Sequence, residues 1–423
     1  MNNLISIIRA LKLFSLIIFI LGVSNCNGIK DEKKQIRDGT IPYKREITIP
    51  TVDISDETDR HVVIAQGTED IRQGHPSTLL MPDGNSLFVT WTYGHGGPAG
   101  PLKKSIDGGL TWSGLLDVPD NRSRFENCPS LYRLTDPEGR ERLFIFANRE
   151  VRHDYKERDF PIDGNKNFQM YQSISEDGGN TWSPMEPSPL ADGTGLLSEG
   201  SLPPTVMPFT AIENVEDGKA LLGFSNLRRI GEWGRTNVLS QSRSDDGGFS
   251  WSHWRVILDL GSPYMPCEPE VIRSPDGIQL LMIIRENYRS VNSWIMVSNN
   301  EGKTWSEPFQ ATGSVTMDRH QAKYAPDGRL VIVGRDTAEE SPTRRHFVAW
   351  VGTYEDLVEG REGQYRVKLL HTYTSTEYPG LELLPDGTFV ATNSVGYRPD
   401  ENYSLVSTRF TLEELDKLQK LYK

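Results

Sequence analysis

Short apolar runs, each about one strand long, recur through the chain, and each begins just after a tight polar turn. LFVTW (87–91), IQLLMII (278–284), RLVIVG (329–334) and TFVAT (388–392) follow Pro-Asp-Gly at 82–84, 275–277, 326–328 and 385–387. The looser turns Pro137-Glu138-Gly139 and Glu216-Asp217-Gly218 precede LFIFA (143–147) and ALLGFS (220–225) in the same way. Such runs bounded by Gly-containing turns predict six β-hairpins. A second pattern is interleaved with the first: SIDGGLTW (105–112), SEDGGNTW (175–182), SDDGGFSW (244–251) and SNNEGKTW (298–305) share the form S-x-[DN]-x-G-x-[ST]-W. In that motif the Asp side chain accepts backbone N–H groups, the Gly takes a conformation other residues resist, and the Trp packs beneath. It is a structural turn, and its Asp residues are not read as catalytic.

Hairpins alternating with these turns give a repeat of roughly 50 to 75 residues, the size of a propeller blade. The predicted fold is therefore all-β: a six-bladed β-propeller of four-stranded antiparallel blades over residues 61–423, with a short C-terminal helix. HFVAWVGTYEDLVEGREGQYRVKLLH (346–371) supplies the outer strands of the fifth blade, with a longer connection in place of the box. The sixth blade has three strands before the chain ends, so HVVIA (61–65) is expected to add its fourth and close the ring. Thr411 and Glu414 stand in capping-box spacing ahead of Leu412, Leu415, Leu418 and Leu421, which predicts the terminal helix on the outer surface.

Composition agrees with this reading: 423 residues with 38 Gly and 26 Pro suit many turns more than long helices. The net charge of −12 excludes nucleic acid as a partner, because that binding needs a surplus of Lys and Arg. An acidic sugar stays open, since one carboxylate needs only a few Arg in one pocket. Residues 1–25 carry Arg9 and Lys12 ahead of LFSLIIFILGV (13–23), the pattern of a secretory signal and shorter than the roughly 20 residues of a membrane span. Cys26 follows directly and resembles the lipidated first residue of a bacterial lipoprotein. The expectation is export to the periplasm or surface of a Gram-negative-type bacterium, with residues 26–60 as tether and lead-in and membrane contact through the lipid anchor only. Cys128 and Cys267 alone form no disulfide framework, and neither Cys nor His spacing suggests a metal site. No cofactor is expected, and a monomer is.

In a propeller the innermost strands begin at the mouth of the central channel, so equivalent positions converge there. Counting seven residues back from the Pro of each Pro-Asp-Gly turn lands on His75, Glu268, Arg319 and Tyr378. Alone, each reads as readily as a solvated charge or a satisfied core histidine; together they are a constellation. Asn127-Cys128 and Ser198-Glu199 fall near the same rim. The ends of the second strands add His95, Arg285 and Arg335-Asp336, with His320 and Arg344-Arg345-His346 close by. Arginine forks and imidazoles suit recognition of a sugar carboxylate.

The four boxes resemble the Asp-box, or bacterial neuraminidase repeat, and residues 70–410 resemble the sialidase superfamily. EPEVIRSPDGIQLLMIIR (268–285) is similar to the segment with the glutamate that activates the nucleophile and the second arginine of the carboxylate-binding triad. Tyr378 with PGLELLPDGT is similar to the nucleophile segment, and Arg344 or Arg345 to the third arginine. The first blade departs from the family: Gly74 stands where its arginine is usual, and Tyr93-Gly94-His95-Gly96-Gly97 replaces the segment of its aspartic acid. The resemblance therefore implies a changed chemistry, β-elimination next to the carboxylate of a uronic-acid-type sugar, as a lyase or dehydratase. His75, His95, Tyr378 and Glu268 are then the catalytic candidates, with Arg285, Arg319, His320, Arg345 and Asn127 binding an acidic oligosaccharide. A sialidase-like exo-glycoside hydrolase using Tyr378 and Glu268 is the alternative, and a non-catalytic glycan-binding propeller the third reading.

Overall fold

The computed structural model describes residues 46–150, 168–197, 207–231 and 234–420. The expected leader at 1–25, Cys26, the expected tether up to residue 45, and Ser198-Glu199 lie outside the described residues. Two strands precede the first blade, β1 (Thr51–Asp53) and β2 (His61–Ala65). The blades follow in chain order. They are β3 (Gln73–Leu80), β4 (Leu87–Tyr93) and β5 (Leu102–Ser105); then β6 (Glu126–Thr135), β7 (Glu141–Glu150), β8 (Phe168–Ser175) and β9 (Glu186–Pro187). The third has β10 (Ala211–Val215), β11 (Ala220–Gly231), β12 (Gly234–Ser244) and β13 (Arg255–Leu258). The fourth has β14 (Pro266–Arg273), β15 (Leu280–Glu286), β16 (Trp294–Ser298) and β17 (Phe309–Gln310). The fifth has β18 (Met317–Tyr324), β19 (Leu330–Asp336), β20 (Phe347–Gly352) and β21 (Tyr365–Leu370), and the sixth β22 (Thr376–Leu383), β23 (Phe389–Val395) and β24 (Ser404–Phe410).

Each blade is an antiparallel meander, and the innermost strands β14, β18, β22, β3 and β6 touch in succession around the channel. The ring closes as the sequence implies: β2 pairs antiparallel with β24, His61 opposite Thr408 and Val63 opposite Val406. The sheet also begins earlier than residue 61, because β1 adds parallel to β21 as a fifth strand of the fifth blade. Val52 and Ile54 explain this, since both are fully buried in the apolar layer between the last two blades. The first blade has three strands among the described residues. Its outer edge is covered by 113–116, where Ser113 N–H donates to the Lys104 carbonyl and Leu116 N–H to that of Leu102.

The six Pro-Asp-Gly-type turns hold Gly84, Gly139, Gly218, Gly277, Gly328 and Gly387 at positive φ, the conformation glycine adopts without a Cβ penalty. In the first Asp-box, Ser105 Oγ donates to Asp107 Oδ1 at 2.8 Å while Gly109 N–H donates to Ser105 Oγ at 2.9 Å and Thr111 N–H to Asp107 Oδ1 at 2.9 Å. The other three boxes repeat the Ser and Thr or Ser bonds. In the fourth, Asn300 replaces Asp and Glu301 takes the left-handed position that Gly fills elsewhere. Trp251 of the third box is fully buried, its ring centroid 4.2 Å from that of Phe209.

Two α-helices complete the described residues. α1 (Tyr354–Val358) fills the long connection of the fifth blade, and α2 (Leu412–Gln419) packs Leu412 and Leu415 onto the last two blades. Both start at capping boxes, Thr353 with Asp356 and Thr411 with Glu414. Asp336, read from the sequence as a mouth residue, instead serves the fold. It is fully buried, pairs with Arg366 at 2.8 Å, and accepts from Ser341, Thr343 Oγ1 and Ala338 N–H.

Candidate functional site at the channel mouth

Five innermost strands carry a β-bulge at the same level. Their registers shift between Gly74 and Ser77, Glu126 and Ser130, Cys267 and Glu270, Asp318 and Gln321, and Thr376 and Pro379. The residues inside four of these bulges have positive φ without being glycine: His75 at 44°, Cys128 at 51°, Glu268 at 51° and Arg319 at 53°. Such a backbone costs about 1–3 kcal/mol per residue and breaks the strict in-out alternation of a strand. Tyr378 occupies the fifth bulge. Proline follows His75, Cys128, Glu268 and Tyr378, which fits a bulge because no ladder N–H is needed there.

The bulges bring together side chains separated by up to three hundred residues. Tyr378 Oη donates to Glu268 Oε1, and Arg285 Nη1 donates to Glu268 Oε2 at 2.6 Å. Burial pushes the Glu268 carboxyl up, but the charges of Arg285 and Arg319 and the Tyr378 bond outweigh it and hold the group below its usual range. The Tyr378 phenol is raised well above its usual value, first by burial and then by the Glu268 charge. Arg319 lies with its guanidinium 5.4 Å from the Tyr378 ring centroid, and its Nη1 is buried with no hydrogen-bond partner among the described residues. Arg285 is also held by Asp318 at 2.8 Å, and Asp318 further takes Arg289 and Arg335. Arg285 Nε is likewise buried without a hydrogen bond but is ion-paired with Asp318, whereas Arg319 Nη1 has neither kind of partner among the described residues.

The other flank of Tyr378 is histidine. The His75 ring stacks on Tyr378 with centroids 4.4 Å apart and planes at 19°. Its Nε2 lies 3.0 Å from His95 Nδ1, which in turn lies 3.0 Å from Glu377 Oε1. His75 is 2% exposed and burial lowers its imidazole to about 4, so it is neutral at physiological pH. The His95 side chain is 69% exposed and opens to solvent. Burial raises Glu377, but the His95 hydrogen bond and the charges of His75 and Arg72 prevail and hold it at about 2.

Other expected residues fall differently. His320 does not face the pocket: its Nε2 lies 3.1 Å from the Val315 carbonyl and 3.5 Å from Ser293 Oγ inside the interblade core, and burial lowers it to about 4. The bulge explains this, because the extra residue turns Arg319 to the mouth and the next side chain away. Arg345 is exposed beside the start of β22, its carbonyl accepting from Thr376 Oγ1. Asn127 shares the second-blade bulge, and its Oδ1 accepts from Cys128 Sγ at 3.2 Å, while that thiol also lies 3.2 Å from His75 Nδ1. Cys128, placed near the rim from the sequence, does reach His75, whereas Glu377, Arg72 and Asp318 join the site without having been expected there. A signal existed: Asp318-Arg319 and Glu377-Tyr378 place an acid directly before the pocket residue in both final blades. Arg72, four residues before Pro76 and stacked over Tyr403, brings an arginine from the first blade despite Gly74.

Two residues after Glu268, Glu270 meets the neighbouring blade and accepts from Gln321 Nε2 and Ala322 N–H of β18. Burial pushes its carboxyl up to about 8. A carboxyl raised above its unfolded value contributes fully below pH ~4.5 and loses stability as pH rises toward 8. Glu270→Gln should therefore be more stable than wild type by on the order of 2 kcal/mol at pH 8.5 and gain little at pH 4.5. Urea midpoints at the two pH values measure it; a gap that does not widen with pH contradicts the assignment.

With this geometry in place, three comparisons carry information. The family model described as BNR repeat-like domain matches residues 119–387. A protein of unknown function from Dyadobacter fermentans has the same fold at TM-score 0.63 and 17% identity, covering 82% of this chain and 97% of its own. An α-L-arabinanase of Penicillium chrysogenum complexed with arabinobiose reaches 0.56 at 15% identity, covering 84% and 98%. A mutant of the NanB sialidase from Streptococcus pneumoniae reaches 0.53 at 12% identity, covering 84% and 71%. No curated protein matches the chain.

Proposed function

We propose, on the premise that this chain belongs to the BNR repeat-like domain family and has its sialidase-like propeller, that it is a carbohydrate-active enzyme hydrolysing a glycosidic bond of an acidic sugar. The observation that carries the reading is the direct bond from Tyr378 Oη to Glu268, beside the unpartnered Nη1 of Arg319. A phenol is a weak nucleophile until a base takes its proton, and a buried ionised carboxylate is such a base. Tyr378 attacks the anomeric carbon as Glu268 receives the proton, while Arg319 holds the sugar carboxylate next to the reacting centre. The proton for the leaving oxygen comes from the side of the mouth formed by His75, His95 and Glu377. That arabinanase and sialidase share the fold supports a sugar substrate.

One observation favours a second reading, β-elimination. The loop where a hydrolytic carboxylic acid is expected offers imidazoles instead, and neutral His75 is the form of a base that removes a proton next to a carboxylate. The test is incubation with sialosides and with uronate-ended oligosaccharides, resolved by mass spectrometry and ultraviolet absorbance. Free sugar without new absorbance supports hydrolysis. An unsaturated uronate overturns it in favour of elimination, and binding without turnover overturns both. Arg319→Ala should raise KM for the acidic substrate about 100-fold, as expected for a lost charge-assisted bond, and leave a carboxylate-reduced analogue unaffected.

A further inference from the structure

We infer that His75, His95 and Glu377 form a binding site for a first-row divalent cation, zinc by its donor set, at the mouth beside Tyr378. The donor atoms converge: His75 Nε2 to His95 Nδ1 is 3.0 Å, His95 Nδ1 to Glu377 Oε1 is 3.0 Å, and His75 Nε2 to Glu377 Oε2 is 3.9 Å. Tetrahedral ligands about 2.0–2.1 Å from a zinc ion stand roughly 3.3 Å apart, close to the two 3.0 Å separations, while Glu377 turns its Oε1 to His95 and its Oε2 to His75. The residues come from the β3 bulge, the loop after β4, and β22, so no sequence spacing announces them.

Hydrogen bonding alone serves the cluster poorly. Gly96 N–H points at His75 Nδ1 at 3.3 Å, so a neutral His75 carries its proton on Nε2 and donates it to His95 Nδ1. The single nitrogen His95 Nδ1 cannot both accept from His75 and donate to Glu377, so one of the two contacts goes without a proton. A cation among the three lone pairs removes that conflict. Two imidazoles and one carboxylate are three protein ligands, the number that leaves a coordination position open for water in catalytic zinc sites. The exposed His95 ring puts that position toward the mouth. Ser394 Oγ, which donates to the Gln73 carbonyl at 2.5 Å, lies 3.2 Å from Glu377 Oε2, while Arg72 competes for the carboxylate charge on Oε1.

Resting on the hydrolytic reading, the site supplies what the mouth otherwise lacks. As the Tyr378 oxygen–carbon bond forms and the glycosidic carbon–oxygen bond breaks, the cation-bound water protonates the leaving oxygen and becomes hydroxide. That hydroxide then attacks the same carbon, the bond to Tyr378 breaks, and Glu268 returns the proton to the phenolate.

The experiment is zinc chloride titration of the metal-stripped full chain by calorimetry, with metal content read by mass spectrometry after gel filtration. One zinc per chain is expected, with affinity lowered at least about tenfold in His95→Ala and in Glu377→Gln, unchanged in Tyr378→Phe, and tightened in Arg72→Ala. His95 is exposed, so its variant tests the site without disturbing the core. No zinc uptake by the wild type, or uptake unaffected by His95→Ala and Glu377→Gln, overturns the inference. Zinc binding without turnover on any acidic glycan sinks the hydrolytic reading and leaves the site standing; turnover undiminished in the zinc-free protein leaves the hydrolytic reading standing and overturns the part given to the cation in it.

Discussion

Tyr378→Phe is expected to lower kcat about 10³-fold or more on the acidic glycan while shifting KM by less than about threefold. The substitution removes one oxygen and keeps the ring that stacks on His75 and lies under Arg319. Ground-state binding therefore survives, and only the bond made in the transition state is lost. Loss of the phenol also frees Glu268 Oε1, but Arg285 still pairs with Oε2, so the buried carboxylate is not orphaned. Steady-state kinetics on the purified variant decide the matter. A kcat within tenfold of wild type removes Tyr378 from the chemistry, and a collapse of binding with kcat preserved makes it a platform for the sugar.

The second large effect is on stability. Asp336→Ala should cost about 3–5 kcal/mol, because it leaves the fully buried Arg366 guanidinium without its counter-charge. The same change strips acceptors from Ser341, Thr343 Oγ1 and Ala338 N–H, loosening the 338–343 turn. Urea unfolding followed by tryptophan fluorescence reads the difference. A loss below about 1 kcal/mol contradicts the role given to this pair. Asp336→Ala with Arg366→Met should recover part of the loss, since replacing both charges removes the desolvation cost together with the attraction.

The propeller was legible because each blade repeats its own punctuation: a glycine turn, an apolar run, and in four cases a Ser-Asp-Gly-Trp box. Local rules decide those features, and they reappear in the structure at Gly84, Gly277, Ser105 and Trp251. β1 was not legible, since three residues that pair with a strand over three hundred positions away carry no period of their own. At the mouth, counting back from the turns reached His75, Glu268, Arg319 and Tyr378, which do converge. It missed Glu377 and placed His320 on the wrong side, for one reason. Counting assumes strict alternation, and the bulges at Asp318–Gln321 and Thr376–Pro379 break it. The pairing of Asp336 with Arg366 was beyond reach because it reaches across β20, between two strands that are not hydrogen-bonded neighbours.

The bulges also bear on how such a protein acquires new chemistry. Each pocket side chain sits on its own strand, in its own blade, in a kink that the neighbouring strand does not share. Exchange of His75, Cys128, Glu268, Arg319 or Tyr378 thus alters one wall of the pocket and leaves the interblade packing, held by the boxes and the apolar runs, as it was. The frame is separable from the chemistry it carries, while the pocket side chains, bonded and stacked on one another, depend on each other.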